Sequence, residues 1–585
     1  MADTVFVNKQ TQILAPWAQD VNNYVYRNTV MPEQFGAIGD GTTNDTAAFA
    51  DAVATGLRVI GYPGSTYKIT SPISVVTAGQ TIDGLMGACT IVTNGSNVFH
   101  VNASNVTVRG WVAVSSATGT TADAFVYAVN VDGVKVEYNR LTRMFTEVRA
   151  SSHANLNDIR IRDNWIDGDW TDDSIGHNVL DLYGINDLWI TGNHFSVVGP
   201  YRFIKISSSL PDSDHVLTTE MSQRVNIQGN HFLGSLSNTN NVIDVYCGTK
   251  ELLATDNVVN MTGSINSWIS AKPGITGAGQ PESATTTKQI VSNNVATLSG
   301  SVINGFVSLH SSWGQPWEDS SILQMAQICD NIIHHDQAST SATIDVRGFN
   351  HVLVQGNVAQ KVAVNFSRFI SAYNNQIAIV GHNQTNYGTI EVSGNSTSAS
   401  GVAYSKSPEI VNIHNSALRD FVGSAAIYVH DCAGLLKLKL HDNYIGNSAD
   451  SGSIGAAIRL EHNTLDTMCV HDNLLAMNNA AKAYIQFVTT TPTYRIEHGN
   501  SWNQTSATFN PGDLVDGAGV TSSAISLKGA AFGAAVTVAA PYDLQGMTVT
   551  GYVSAADNVK IRVQNESAGE LNVGSGTWNV AVSWG

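Results

Sequence analysis

Residues Val242 to Asn260 read VIDVYCGTKELLATDNVVN. Ile243 and Val245 alternate with Asp244 and Tyr246, a turn follows, and a second strand ends in Asp256-Asn257. The same two-part phrase returns along most of the chain. Alternating first strands begin at Val179 (VLDLY), Phe203 (FIKIS), Trp268 (WISAK), Phe306 (FVSLH), Thr343 (TIDVR), Phe369 (FISAY), Thr389 (TIEVS), Ala426 (AIYVH) and Ala457 (AIRLE). Second strands end at Asn193, Asn230, Asn294, Asn331, Asn357, Asn443 and Asn473. Aligning the first strands puts Asp181, Lys205, Asp244, Ser270, Ser308, Asp345, Ser371, Glu391, Tyr428 and Arg459 in one register. The spacing averages about 31 residues, a period that signals stacked β-coils.

Side chains alternate across a strand, so one set faces the coil interior and the other faces out. The inward set runs from Leu180 and Leu182 through Ile243 and Val245 to Ile390 and Val392, and is apolar throughout. The outward set is mostly polar and forms two columns. The repeated Asn suits a tight corner, because Asn tolerates the left-handed region. This pattern predicts an all-β chain built as a right-handed parallel β-helix.

Composition narrows the function classes. With 585 residues and a net charge of −17, the chain repels nucleic acid and anionic membranes as partners. The five cysteines, Cys89, Cys247, Cys329, Cys432 and Cys469, show no CxxC pair or metal spacing, so free thiols are expected. The start, MADTVFVNKQ, lacks a basic-then-apolar signal region, and no apolar run reaches membrane length. Synthesis in a cytoplasm without a signal peptide is expected, and no cofactor or metal is.

Near the N-terminus, Thr43 or Asn44 can cap a helix with Ala47, Ala48, Phe49, Ala52 and Val53 as its apolar stripe and Asp45 near its positive end. Such a helix would cover the open first coil. The stretch FGAIGDGTTNDTAAFADAV followed by YPGSTYKI (Phe35 to Ile69) resembles the corresponding motif of pectate-lyase-like β-helix proteins. In particular, it is similar to that of bacteriophage tail spikes that degrade surface polysaccharide. The resemblance implies a virion-attachment leader over 1–30, a capping segment with the first coils over 31–97 and a catalytic β-helix over 98–510. A small C-terminal β-sandwich is expected over 511–585. Its ending, VQN…GSGTWNVAVSW, looks like the domain that holds tail spikes together as homotrimers. The implied activity is depolymerisation of a bacterial capsular or O-chain polysaccharide by a spike on a phage tail, acting at the host surface.

The outward columns are where the chemistry is expected. One holds Asp181, Lys205, Asp244, Ser270, Ser308 and Asp345; the other holds Tyr183, Ser207, Tyr246, Lys272, His310, Arg347 and Tyr373. Long corner loops, Ser207–Gln223, Pro273–Thr287 and Ser311–Leu323, would wall a groove beside them. Glycoside hydrolysis needs one carboxylic acid and one carboxylate. At one coil per strand spacing, Asp181 and Asp244 would sit about 10 Å apart, as would Asp345 and Glu391, whereas Asp244 and Asp345 would be about 14 Å apart. No pair stands out by spacing, and Asp181, Lys205 and Asp244 fit an exposed charge ladder equally well.

A lyase instead needs a cation against a uronate carboxylate and a base beside it. Lys272, His310 and Arg347 would supply that set. Endo-hydrolysis by Asp244, Asp345 or Asp181 is the favoured reading, with a non-catalytic receptor spike as the third. Tyr246, Tyr183, Lys205, Trp313, Trp317 and Glu318 are expected to touch substrate. The acidic run WIDGDWTDD, with Trp165 and Trp170, lacks the spacing of a calcium loop, and His414, His430, His441, His462 and His471 read as corner or ladder residues.

Overall fold

The computed structural model describes residues 28–583, excluding 118–122, 151–154, 172–175, 208–221, 247–248, 273–286, 301, 303–304, 311–323, 336–342, 366–368, 374, 379–389, 395, 398–402, 405–407, 420–424, 448–455, 478–482 and 491. It comprises two compact units, Met1–Trp313 and Gly314–Gly585.

In each unit the chain winds into coils whose strands pair in parallel with those of the coils before and after. Each coil of the body carries three strands rather than the two expected. The coil that opens the sequence reading consists of Asn241–Tyr246, Thr249–Thr255 and Val258–Thr262. The next consists of Ser267–Lys272, Lys288–Ser292 and Val295–Ser299. Their registers set Asp244 opposite Ser270, Ala254 opposite Val291 and Val259 opposite Ala296. Ile243, Val245, Leu252, Ala254, Val259 and Met261 all point into the buried core. The fold is a right-handed parallel β-helix.

The corner asparagines do something other than expected. In the first unit Asn139, Asn164, Asn193, Asn230, Asn257 and Asn294 are buried and form a continuous ladder. The backbone N–H and the Nδ2 of Asn230 both donate to Oδ1 of Asn257, each at 3.0 Å, and Asn257 repeats the pattern on Asn294. The Nδ2 of Asn257 also donates to the Ile227 carbonyl at 3.0 Å. The left-handed residue is the one before: Gly192, Gly229, Asp256 and Asn293 have φ of 65°, 65°, 57° and 55°. The corner therefore splits the work, with a turn-tolerant residue bending the chain and Asn satisfying the buried backbone behind it. The second unit repeats the device through Asn331, Asn357 and Asn375, and again through Asn443, Asn473 and Asn500.

One expected first strand is misplaced. Phe369–Tyr373 lies in the sheet of second strands, with Ser371 opposite Leu353 and Asn412, and Tyr373 opposite Gln355 and His414. The rung expected of Ser371 belongs to Val362–Asn365, whose Ala363 pairs with Asp345 on one side and Glu391 on the other. Asp345 and Glu391 are thus two coils apart, as expected, by a different route.

The cap is a helix, Thr46–Ala54. Its N-cap is Asp45, whose carboxylate turns away to accept from the backbone N–H of Ile38 and Gly39, while Asn44 Oδ1 accepts from the Thr46 N–H. Ala47 is exposed, and Phe49, Ala52 and Val53 are buried. Phe49 meets the rings of Tyr67, Phe99 and Trp111 at 5.3, 5.9 and 5.7 Å, closing the first coils with aromatic surface. Thr29–Val30, expected in the leader, already pairs with Arg58–Val59, and the remainder of the leader lies outside the described residues.

In the C-terminal β-sandwich, Gln504–Phe509 pairs antiparallel with Gly576–Ser583. Its core gathers Trp578, Val580, Val582, Val559, Ile561, Val563 and Met547 between two small sheets. Of the five cysteines, Cys89, Cys329, Cys432 and Cys469 are free thiols, and Cys247 lies outside the described residues.

Removing one rung of the amide ladder leaves buried N–H groups of the coil before without an acceptor, at about 1–3 kcal/mol per stranded group. Asn257→Ala should therefore lower the urea midpoint of unfolding well beyond what an exposed Asn→Ala, such as Asn102→Ala, produces. Equal effects from the two substitutions would remove the ladder's assigned role.

Candidate functional site

The sheet of first strands carries the unlike charges in both units. In the first unit its outward column reads His100, Tyr127, Glu147, Asp181, Lys205, Asp244, Ser270 and Ser308, each opposite the next. Strand pairing aligns these residues at a coil spacing of about 4.8 Å. Asp181, Lys205 and Asp244 stand on consecutive rungs as expected. The addition is Glu147, directly opposite Asp181 on the coil before. It was legible: MFTEVR aligns with VLDLY, the Glu falling where the Asp falls.

The carboxylates of this column live in different surroundings. Glu147 is largely buried, and burial raises its pKa above the ordinary carboxylate value. Arg149, 3.3 Å from Glu147 Oε1, opposes that shift, and the charge of Asp181 adds to it. Asp181 Oδ1 is buried and accepts no hydrogen bond; its nearest cation is Lys205 Nζ at 4.0 Å. Lys205 instead donates to the Tyr183 hydroxyl at 2.7 Å, with its ammonium over the Tyr183 ring. Burial and the neighbouring Asp181 charge raise the pKa of Tyr183. Asp244 is already engaged: Arg202 Nε lies 2.8 Å from Oδ2, and Asn241 Nδ2 donates to Oδ1 at 3.1 Å.

Other expected residues of this unit fall beside the column. Tyr246 is opposite Lys272, and Lys272 and His310 follow the register partners Ala271 and Leu309. His310 Nε2 is 3.4 Å from Ser308 Oγ. Trp313, Trp317 and Glu318 lie outside the described residues, as do 208–221, 273–286 and 311–323 of the expected groove loops. In the acidic run, Trp170 is buried in the coil, whereas Trp165 is exposed and stacks on His194 at 3.7 Å.

The second unit holds Asp345, Ala363, Glu391, Tyr428 and Arg459 on successive rungs. Arg347 clamps Asp345, its Nε lying 3.0 Å from both carboxylate oxygens. Glu391 sits in a buried chain that sequence reading missed: Lys361 Nζ is 2.6 Å from Oε2, His430 Nε2 is 3.1 Å from Oε1, and His430 Nδ1 is 2.9 Å from Asp431. Burial alone would raise the pKa of Glu391, but His430 and Lys361 together lower it. Burial pushes Lys361 down against the pull of Glu391. For His430 burial acts downward too, yet hydrogen bonds to Glu391 and Asp431 outweigh it and leave its pKa raised. The register could align Glu391 with Tyr428, but His430 reaches Glu391 from two residues further along the next strand, a diagonal that only built side chains display.

The raised His430 value makes a linkage prediction. Its stabilising contribution is present below the unfolded imidazole value of about 6.5 and is lost as pH rises through the folded one. The difference in melting temperature between the unaltered protein and His430→Gln should therefore be a few degrees larger near pH 6 than near pH 9. A difference that is constant with pH would mean that His430 is not held charged.

No protein-family model and no curated protein matches the sequence. Solved structures do. Tailspike protein 3 of bacteriophage CBA120 matches at 10% identity and a TM-score of 0.34, covering 80% of this chain and 62% of that one, so that the chain spans less than two thirds of that tailspike. The catalytic unit of the GH87 alpha-1,3-glucanase from Streptomyces thermodiastaticus matches at 12% identity and a TM-score of 0.35, over 80% of this chain and 68% of that one. The tailspike protein gp49 from Pseudomonas phage LKA1 matches at 11% identity and a TM-score of 0.39, over 95% and 99% of the two chains. What this chain has in common with them is the right-handed parallel β-helix.

Proposed function

We propose that this chain is the polysaccharide-depolymerising body of a phage tail spike, and that it cuts a bacterial capsular or O-chain polysaccharide by endo-glycosidic hydrolysis. The observation that carries the reading is the pair Glu147 and Asp181 on adjacent rungs. Carboxylates on neighbouring strands about 4.8 Å apart suit the roughly 5–5.5 Å separation of a retaining glycosidase. Burial raises the pKa of Glu147, the direction that a general acid requires. Asp181, its side chain 21% exposed, is the carboxylate placed to attack the anomeric carbon.

In the first step an Asp181 oxygen bonds to the anomeric carbon as the glycosidic C–O bond breaks, and the proton of Glu147 passes to the departing oxygen, which leaves as a sugar hydroxyl. In the second, Glu147 takes a proton from water, whose oxygen displaces Asp181. Lys205 borders the pair, its ammonium held by the Tyr183 hydroxyl. β-Elimination is the weaker reading, because Arg347 of its expected set is engaged on both oxygens of Asp345. The motif from Phe35 to Ile69 supports the assignment to a tail spike, with a leader toward the virion and a trimer held through the C-terminal sandwich.

On a panel of capsular and O-chain polysaccharides, the protein should release new reducing ends from one polymer without the near-ultraviolet absorbance of an unsaturated sugar. Glu147→Gln and Asp181→Asn should each lose about 10²–10⁴-fold in turnover while still binding that polymer. Unchanged turnover in both variants would sink the assignment, and an absorbance rise would replace hydrolysis by elimination. Sedimentation of the full chain should give the mass of three copies; a monomer would remove the trimer.

A further inference from the structure

On the second strands of the second unit, four histidines stand on consecutive rungs. His414 is opposite His441, His441 opposite His471, and His471 opposite His498. Their rings stack with centroids 4.7, 4.9 and 5.0 Å apart and planes within 6°, 5° and 16°. At the first two corners below His414 the next residue is a left-handed Asp. His441 Nδ1 lies 2.7 Å from Asp442 Oδ2, and His471 Nδ1 lies 2.8 Å from Asp472 Oδ2. His498 breaks the pattern, because Gly499 follows it and supplies no carboxylate. It faces the Asp472 corner instead: one ligand atom from each of His471, Asp472 and His498 falls within 4.8 Å of the others.

We propose that His471, Asp472 and His498 form a binding site for a divalent transition-metal ion of the zinc class. Two imidazoles and one carboxylate are a donor set suited to zinc or nickel rather than to calcium, which takes mostly oxygen ligands. The donors are close to what the ion needs. Zinc–nitrogen bonds of about 2.0–2.1 Å in a tetrahedron require donors about 3.3 Å apart, which modest side-chain rotation reaches from 4.8 Å. The freedom for that rotation exists, since Asp472 and His498 are exposed. The rest of the site is held: the two strands are register partners, and the His441 ring stacks on the far face of His471. The fourth position faces solvent and would take water. This would be a surface site that ties two adjacent coils together, with no part in the chemistry at Glu147 and Asp181.

The test uses the full chain, stripped with a chelator and titrated with zinc chloride by calorimetry, with cobalt(II) absorbance reporting geometry. One saturable site per chain is expected, with a rise in melting temperature on zinc addition. His471→Ala and His498→Ala should each weaken binding at least tenfold, as should Asp472→Asn. His414→Ala, two rungs from the nearest ligand, should bind as the unaltered protein does. A folding check by circular dichroism on each variant separates lost ligation from lost structure. Absence of saturable zinc binding would overturn the proposal. So would binding that survives both His471→Ala and His498→Ala in folded protein, or that falls equally with His414→Ala.

Discussion

The buried amide ladder is the interaction on which the rest of this structure depends. A β-helix corner turns its backbone away from the sheets, which leaves N–H groups inside the coil with nothing to bond. Each ladder asparagine supplies an acceptor to the coil before and draws both its own donors into use. Because Oδ1 of one rung accepts from the backbone N–H of the asparagine before it, the ladder also pins the register of successive coils. A slip by one residue would turn every apolar side chain outward. The ladder is therefore what makes the outward columns columns. Glu147 faces Asp181, and Asp181 faces Lys205, because register is held at the corner that follows.

Charges placed on such a face do not all have the same freedom. Asp345 is bound by both oxygens to Arg347, and Glu391 is held between Lys361 and His430. These carboxylates are engaged by cations, and their hydrogen-bonding capacity is largely spent. Asp244 is in the same position with Arg202 and Asn241. Glu147 and Asp181 differ. One is pushed toward its protonated form by burial, and the other keeps an oxygen without a donor. A carboxyl group with a raised pKa beside a second carboxylate on the neighbouring rung is the kind of pair that acid–base chemistry uses. The same ladder geometry, applied to histidine, stacks imidazoles at a spacing set by the strands and leaves the last of them facing a carboxylate from the rung before.

Much of this was legible, and the failures have specific causes. The alternation of Ile243 and Val245 with Asp244 announced both the core face and the outer column, because period-two patterning survives any context. FISAY at Phe369 has the same alternation and was placed in the wrong sheet. Every strand of this solenoid is apolar on one side, so the pattern alone cannot say which of three sheets a strand joins. Only the pairing of Val362–Asn365 with Ile344–Arg347 settles it. The corner asparagine was noticed for the right position and the wrong reason, since propensity for left-handed backbone and capacity to satisfy buried amides favour the same residue. Glu147 stands in the same sequence alignment as Asp181.

By itself, then, the sequence determined the repeat, the inward and outward faces, the capping helix and the terminal sandwich. Each of these follows from local periodicity or from a contiguous motif. Tertiary packing set which charged side chains are spent in close ion pairs and which are not. It also decided that His430 reaches Glu391 across a diagonal, and that His498 meets the corner of the coil before. Those facts depend on the rotamers and burial of side chains many residues apart in sequence, quantities that no local pattern encodes.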